Sequence, residues 1–138
     1  MSAEVVARAA VIAALQADGA LMDGLNGLFD GDPGRASVPY AYVDVCIGAD
    51  WGGKNMDGRE VRISLALRVG DEAARWLGDM IARIDAVVAG LGVQDGWRIV
   101  TARLVRSRVA REEGRDGGRA PAGWRAVIDY RLRMVREG

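Results

Sequence analysis

Trp124-Arg125-Ala126-Val127-Ile128-Asp129-Tyr130-Arg131-Leu132-Arg133-Met134 decides how this chain folds. Ala126, Ile128, Tyr130, Leu132 and Met134 alternate with Arg125, Asp129, Arg131 and Arg133. A period of two marks a strand with one dry face, because successive side chains of an extended backbone point to opposite sides. Upstream, Arg98 to Arg111 is rich in Val, Ile, Leu and Thr and reads as its mate. The segment between them, Glu112-Glu113-Gly114-Arg115-Asp116-Gly117-Gly118-Arg119-Ala120-Pro121, is turn chemistry throughout. Trp97 to Arg136 therefore reads as one long β-hairpin. A strand of about fourteen residues, at roughly 3.3 Å each, spans on the order of 45 Å. A compact chain of this length has a radius of gyration of about 14 Å. The hairpin is thus expected to be as long as the body is wide, with a projecting tip. One irregularity stands out in its first strand. Val100, Ala102 and Leu104 share one parity, and Val105 and Val109 share the other. A β-bulge between Leu104 and Val105 accounts for the switch; the alternative is a distal part that leaves the core.

Upstream of the hairpin, Ala74, Leu77, Ile81, Ile84, Val88 and Leu91 recur at three and four. This predicts a helix that opens at Gly70 or Asp71 and ends at Gly90 and Gly92. Val61, Ile63, Leu65, Leu67 and Val69 alternate with Arg62, Ser64, Ala66 and Arg68, a clean strand. Val38 to Ile47 reads as its antiparallel partner, with Ala41, Val43, Val45 and Ile47 on one face. Between the two, Gly48 to Gly58 is expected to be a long flexible loop with Trp51 exposed. Gly52-Gly53-Lys54 inside it looks like the tail of a phosphate-binding loop. Asn55 replaces the Ser/Thr, and no helix opens there, so it reads as hairpin turn. Asp30-Gly31-Asp32-Pro33-Gly34 is a turn signal, with Phe29 as its anchor to the core. At the start, Ser2 can cap a helix that buries Val5, Ala9, Ile12 and Leu15. The expected fold is α+β, a single domain over residues 1–138: a mainly antiparallel sheet of about four strands, two packed helices and the long C-terminal β-hairpin.

The 138 residues carry 19 basic and 19 acidic side chains, but not evenly. Residues 1–97 hold 8 basic and 14 acidic groups, a net −6, and residues 98–138 hold 11 and 5, a net +6. Of the basic residues 18 are arginine, which fixes their type but not their concentration at one end. An acidic body with a basic hairpin suits head-to-tail contact between copies, or a surface near nucleic acid. The chain has no histidine and one cysteine, Cys46. This removes the commonest general base and any intramolecular disulfide. Cys46 lies in a β-rich run and reads as a small core or half-buried residue. Asp23, Asp30 and Asp32 read as turn carboxylates and not as a metal cluster. Glu112 and Glu113 are placed on a mobile tip, where neither would be tuned for catalysis. Neither a cofactor nor an enzyme activity is expected, and no signal peptide or membrane span is seen. The candidate interface residues are Arg103, Arg106, Arg108 and Arg111 on one strand with Arg131 and Arg133 on the other.

The chain resembles the tail-completion, or tail-terminator, family of long-tailed bacteriophages and the matching component of phage-derived gene transfer agents. Gly27-Leu28-Phe29-Asp30-Gly31-Asp32-Pro33, Val38-Pro39-Tyr40-Ala41-Tyr42-Val43, Gly58-Arg59-Glu60-Val61-Arg62-Ile63-Ser64-Leu65, Gly70-Asp71-Glu72-Ala73 and the terminal strand from Trp124 carry the likeness. The resemblance implies a structural protein of the particle's tail–neck region. It implies a homo-oligomeric ring, commonly a hexamer, that caps the tail tube, stops its growth and joins the tail to the head connector. DNA would pass through the lumen. Its partners would be further copies, the tail tube protein and the connector or neck protein. Trp51 and Lys54 in one loop, with Arg115 and Arg119 in the hairpin tip, are the candidate docking residues. A neck protein of similar fold and a DNA-binding β-ribbon protein are the alternatives.

Overall fold

The computed structural model describes residues 2–114 and 122–137. The chain runs through helix α1 (Ala3–Gln16), short helix α2 (Gly19–Asp23), strands β1 (Gly27–Asp30), β2 (Tyr40–Asp50) and β3 (Gly58–Gly70). A 3-10 turn (Asp71–Trp76) leads into helix α3 (Leu77–Ala89), followed by β4 (Val93–Gln94), β5 (Trp97–Glu112) and β6 (Gly123–Arg136). One six-stranded sheet results, in the order β1-β2-β3-β6-β5-β4. Neighbours are antiparallel except for β1 and β2. The four long strands are those expected, with β1 and the two-residue β4 added at the edges.

The terminal strand behaves as its alternation demands. Ala126, Ile128, Tyr130, Leu132 and Met134 are all 2% exposed or less. They face α1 and α3 together with Val61, Ile63, Leu65, Leu67 and Val69 of β3. β6 pairs with β3 along the whole length of both strands, from Gly58 opposite Val135 to Gly70 opposite Gly123. The described part of the hairpin is therefore built into the sheet and is not an arm standing away from it. The cause is that both edges of β6 are paired, with β3 on one side and β5 on the other. The tip residues 115–121 lie outside the described residues.

The other elements follow local rules. Ser2 caps α1 by accepting from the Val5 N–H at 3.3 Å. The face α1 buries is not the one its spacing suggests: Ala3, Val6, Ala7, Ala10, Val11 and Leu15 point inward, and Val5 is 53% exposed. With all residues apolar except Glu4, Arg8 and Gln16, the helix offers more than one stripe. The ion pair of Glu4 with Arg59 on β3 (2.7 Å) and the reach of Arg8 to Asp30 on β1 select the rotation. The second helix opens as the 3-10 turn and then buries Leu77, Ile84 and Val88 as the stripe predicts. Arg83 from α3 bonds Asp18, the cap of α2, at 2.9 Å. Tyr130 of β6 donates to the Asp85 carboxylate, which ties α3 to the sheet.

β2 departs from its predicted alternation. Its register with β3 shifts between Val43 and Cys46. The extra residue inverts the parity. Ala41 and Val43 face the helices as expected, but beyond the bulge Cys46 does so, while Val45 (49%) and Ile47 (59%) are exposed. Arg8 clamps the bulge: its guanidinium donates to the carbonyls of Val43 (2.7 Å) and Asp44. β2 also continues to Asp50, so the expected long loop shrinks to a turn over residues 51–57, closed by a bridge between Gly53 and Met56. Phe29 anchors its loop to the far face of the sheet, edge-on to Tyr40 at 6.0 Å, and not to the main core. Among the described residues, no helix is long and apolar enough to cross a membrane.

Candidate functional site

The helices cover one face of the sheet. The opposite, open face carries the polar members of each alternating strand, and cross-strand register sets which of them meet. Arg62 on β3 lies opposite Arg131 on β6, and Arg131 lies opposite Arg103 on β5. Three arginines thus stand in one row across three strands. Like charges directly opposite are unfavourable in a sheet. Arg62 is relieved by Glu60 at 3.4 Å. Arg103 and Arg131 have no ion-pair partner among the described residues, and the Arg131 Nε is buried without a hydrogen bond.

The neighbouring rows are balanced to different degrees. Arg106 pairs with Asp129 at 2.9 Å, and Asp129 also accepts from Ser64 on β3. Burial pushes the Asp129 carboxyl up, but the Ser64 and Arg106 hydrogen bonds and the charges of Arg106 and Arg108 outweigh it, so it sits below the usual range. Arg108 lies opposite Val127, exposed, with no ion-pair partner among the described residues. Arg133 lies 3.5 Å from Glu60 and over the Trp51 ring at 5.3 Å. Trp51 is therefore half-buried by this stacking and not exposed as expected. Lys54 is exposed in the turn. Arg115 and Arg119 lie outside the described residues.

Two sequence readings are corrected. Arg111 does not join the basic row: three residues beyond Arg108 in unbroken register, it lies opposite Trp124 and so on the helix-covered face. There it forks onto Asp71 (2.9 and 3.2 Å) and lies 5.5 Å over Trp124. Glu112 is not on a mobile tip. It ends β5, half-buried, with one oxygen 2.6 Å from Arg68 and the other 4.0 Å from Arg125. Arg68 is only 9% exposed and bonds Tyr40 at 2.9 Å, and Arg125 bonds Tyr42 at 2.8 Å. Arg68 and Arg125 are cross-strand neighbours, so Glu112 neutralises a pair that would otherwise repel. Reading one strand at a time does not reveal these contacts, or the place of Arg62 in the row.

β5 itself is the least covered strand. Residues from Arg103 to Arg111 are exposed, including Leu104 (49%), Val105 (44%) and Val109 (50%). The predicted bulge is there, between Leu104 and Arg106, and a second lies between Ile99 and Thr101. β4 pairs only with Trp97 and Arg98, so beyond them the outer edge of β5 has no strand beside it among the described residues. On the helix side, a cleft of about 530 Å³ opens between α2 and α3, lined by Leu21, Pro39, Trp76 and Met80. Cys46 is half-buried with its Sγ 3.5 Å from the Glu4 carbonyl, and burial pushes the thiol pKa up, as befits a packing residue. Asp30 is held by Arg8, and Asp32 accepts from the Gly34 N–H at 2.9 Å.

Comparison with known families decides the identity. The family model described as "Tail completion protein gp17" matches residues 9–134. The chain belongs to the tail completion protein gp17 family. Membership gives this tail completion protein a structural role in a phage-type tail. Among solved structures, a chain of the "Virion of native gene transfer agent (GTA) particle" aligns with a TM-score of 0.78 at 20% identity. The alignment covers 98% of this chain and 99% of that one, and at this identity it establishes the shared fold. No curated protein matches the sequence.

Proposed function

We propose that this tail completion protein closes a ring of copies, six in number as the family likeness implies, at the head-proximal end of a phage-type tail. The ring caps the tail tube and joins it to the head connector, with DNA passing through its lumen. One observation carries this reading beyond family membership. β5 is a long basic strand left open on its outer edge and largely uncovered on both faces, with Arg103 and Arg108 lacking ion-pair partners among the described residues. A monomer gains little from such an element, whereas a subunit of an assembly needs it. A ring requires two different surfaces on each copy, and the uneven charge of the chain supplies them.

The two docking segments support a joining role. The turn holding Trp51 and Lys54 lies beside Gly58 and Val135. The β5–β6 tip, which contains Arg115 and Arg119, is bracketed by Glu112 and Gly123 at the other end of the same strands. The two ends of the described strands are on the order of 40 Å apart along a thirteen-residue strand, so one subunit can offer one end to the tube and the other to the connector. The test is complementation of tail assembly with Arg103→Glu, Arg108→Glu and Arg131→Glu. The expected outcome is tails of abnormal length that fail to join heads. Normal length and joining with all three reversals would overturn the reading. The arginine row also favours a second reading, contact with duplex DNA. A titration across salt separates the two, since direct phosphate contact gives a steep log–log slope.

A further inference from the structure

We propose that the two open edges of the sheet are the two halves of one seam: β5 of one copy pairs with β2 of the next, so that the sheet continues from subunit to subunit. The inference rests on the ring reading and names the surfaces that close it.

Four observations converge. First, both edges are open among the described residues. β1 covers β2 only from Tyr40 to Val43, and Arg8 occupies the Val43 and Asp44 carbonyls. From Val45 to Asp50 the outer edge of β2 has no strand beside it among the described residues, as on β5 beyond Ile99. Second, exposed apolar side chains gather there. Of the nine large apolar residues that are exposed among the described residues, six lie on these strands: Val45 and Ile47 on β2, and Val100, Leu104, Val105 and Val109 on β5. Third, the charges are opposite. β5 holds five arginines and one acid, and β2 holds Asp44 and Asp50 with no basic residue. Pairing β5 with β5 would oppose arginine to arginine, whereas pairing β5 with β2 opposes arginine to aspartate, so charge selects the partner edge. Fourth, direction agrees. β2, β3, β6 and β5 are successively antiparallel, so β2 and β5 run oppositely in one subunit. Copies related by rotation about an axis along the strands therefore bring β5 against β2 in antiparallel fashion. That is a heterologous contact, the kind that closes a ring, and the main-chain groups of both edges supply the pairing.

Edge-blocked variants test the seam. Arg103→Asp with Arg108→Asp blocks β5, and Asp44→Arg with Ile47→Lys blocks β2. All four side chains are exposed, so unchanged thermal melting certifies that each variant folds. Self-association measured by light scattering should weaken on the order of tenfold or more in either variant alone. A mixture of the two sets wild-type β5 against wild-type β2 and reversed β5 against reversed β2, so opposite charges meet at every seam of an alternating assembly. Self-association should therefore return toward the wild-type level in the mixture. Reversing both edges in one chain should restore the assembly and tail completion. Assembly by either blocked variant at the wild-type level would overturn the seam while leaving the ring intact. A mixture that associates no better than either blocked variant alone would also overturn it. A wild-type chain that completes tails as a monomer would instead overturn the ring reading itself.

Discussion

Gly123 shows how much one missing methyl can decide. A Cβ there would lie 2.1 Å from the Val69 carbonyl oxygen and 3.1 Å from the Gly70 Cα, both main chain of the paired strand. Neither can move without parting β3 from β6. Gly123→Ala is expected to destabilise the subunit by about 1–3 kcal/mol, measured by urea unfolding. A loss below the error of that measurement would show that the strands can slide apart there. Glu4 makes a prediction about acid. The Arg59 hydrogen bond holds its carboxyl below the ordinary 4.5. Arg83 does the same for Asp18, and Ser64 and Arg106 for Asp129, each below the ordinary 3.8. In all three the unfolded chain binds protons more readily, so their stability is present above these values and is lost as pH falls through them. Stability should therefore drop below about pH 4.5 and continue dropping past 3.8. Denaturant titrations across pH check this, and Glu4→Gln should flatten the upper part of the slope. Arg8→Met should cost roughly 2 kcal/mol, because it leaves two carbonyls of the β2 bulge without their charged donor.

At the level of elements, β5 and β6 are mates in one hairpin with opposite fates. β6 is central and its dry face is sealed by α1 and α3; β5 stands near the edge and is bare. Substitution should separate them. Ile128→Ala, at a site with 0% exposure, should cost about 2–5 kcal/mol through transfer and cavity terms. Leu104→Ser and Val109→Ser, at sites about half exposed, should stay within roughly 0.5 kcal/mol in the isolated subunit. Chemical denaturation of the free subunit decides this. A large loss at Leu104 would mean that β5 is covered in solution. Alternation made β6 readable because it is regular over its whole length. The Leu104–Val105 switch in β5 was readable for the same reason, since the apolar residues themselves change parity. The bulge in β2 was not, because Val43, Val45 and Ile47 keep an unbroken apolar alternation while the backbone does not. What places that bulge is Arg8, 35 residues upstream of Val43, and no local pattern records it.

The whole molecule is an acid–base pair split across one sheet. If its basic edge and acidic edge meet between copies, assembly must weaken as salt rises. Raising ionic strength from about 0.05 to about 0.5 M shortens the screening length from roughly 14 to 4 Å. The expected outcome is a fall in assembled mass over that range at fixed protein concentration, read by light scattering, with folding unchanged. Assembly that strengthens with salt would assign the contact to apolar side chains alone. The sequence by itself determined the α+β class, the four long strands, the second helix and the concentration of arginine at the carboxy-terminal end. These follow from periodicity and composition, which are properties of neighbours along the chain. Only the tertiary structure decided that Arg62, Arg131 and Arg103 stand in one row. It alone showed that Arg111 turns away, that Glu112 is held between Arg68 and Arg125, and that two edges of the sheet stay open among the described residues. Those facts depend on register and on strand order. Both are set by which strands find each other across the sheet, and a one-residue shift in either would change every one of them.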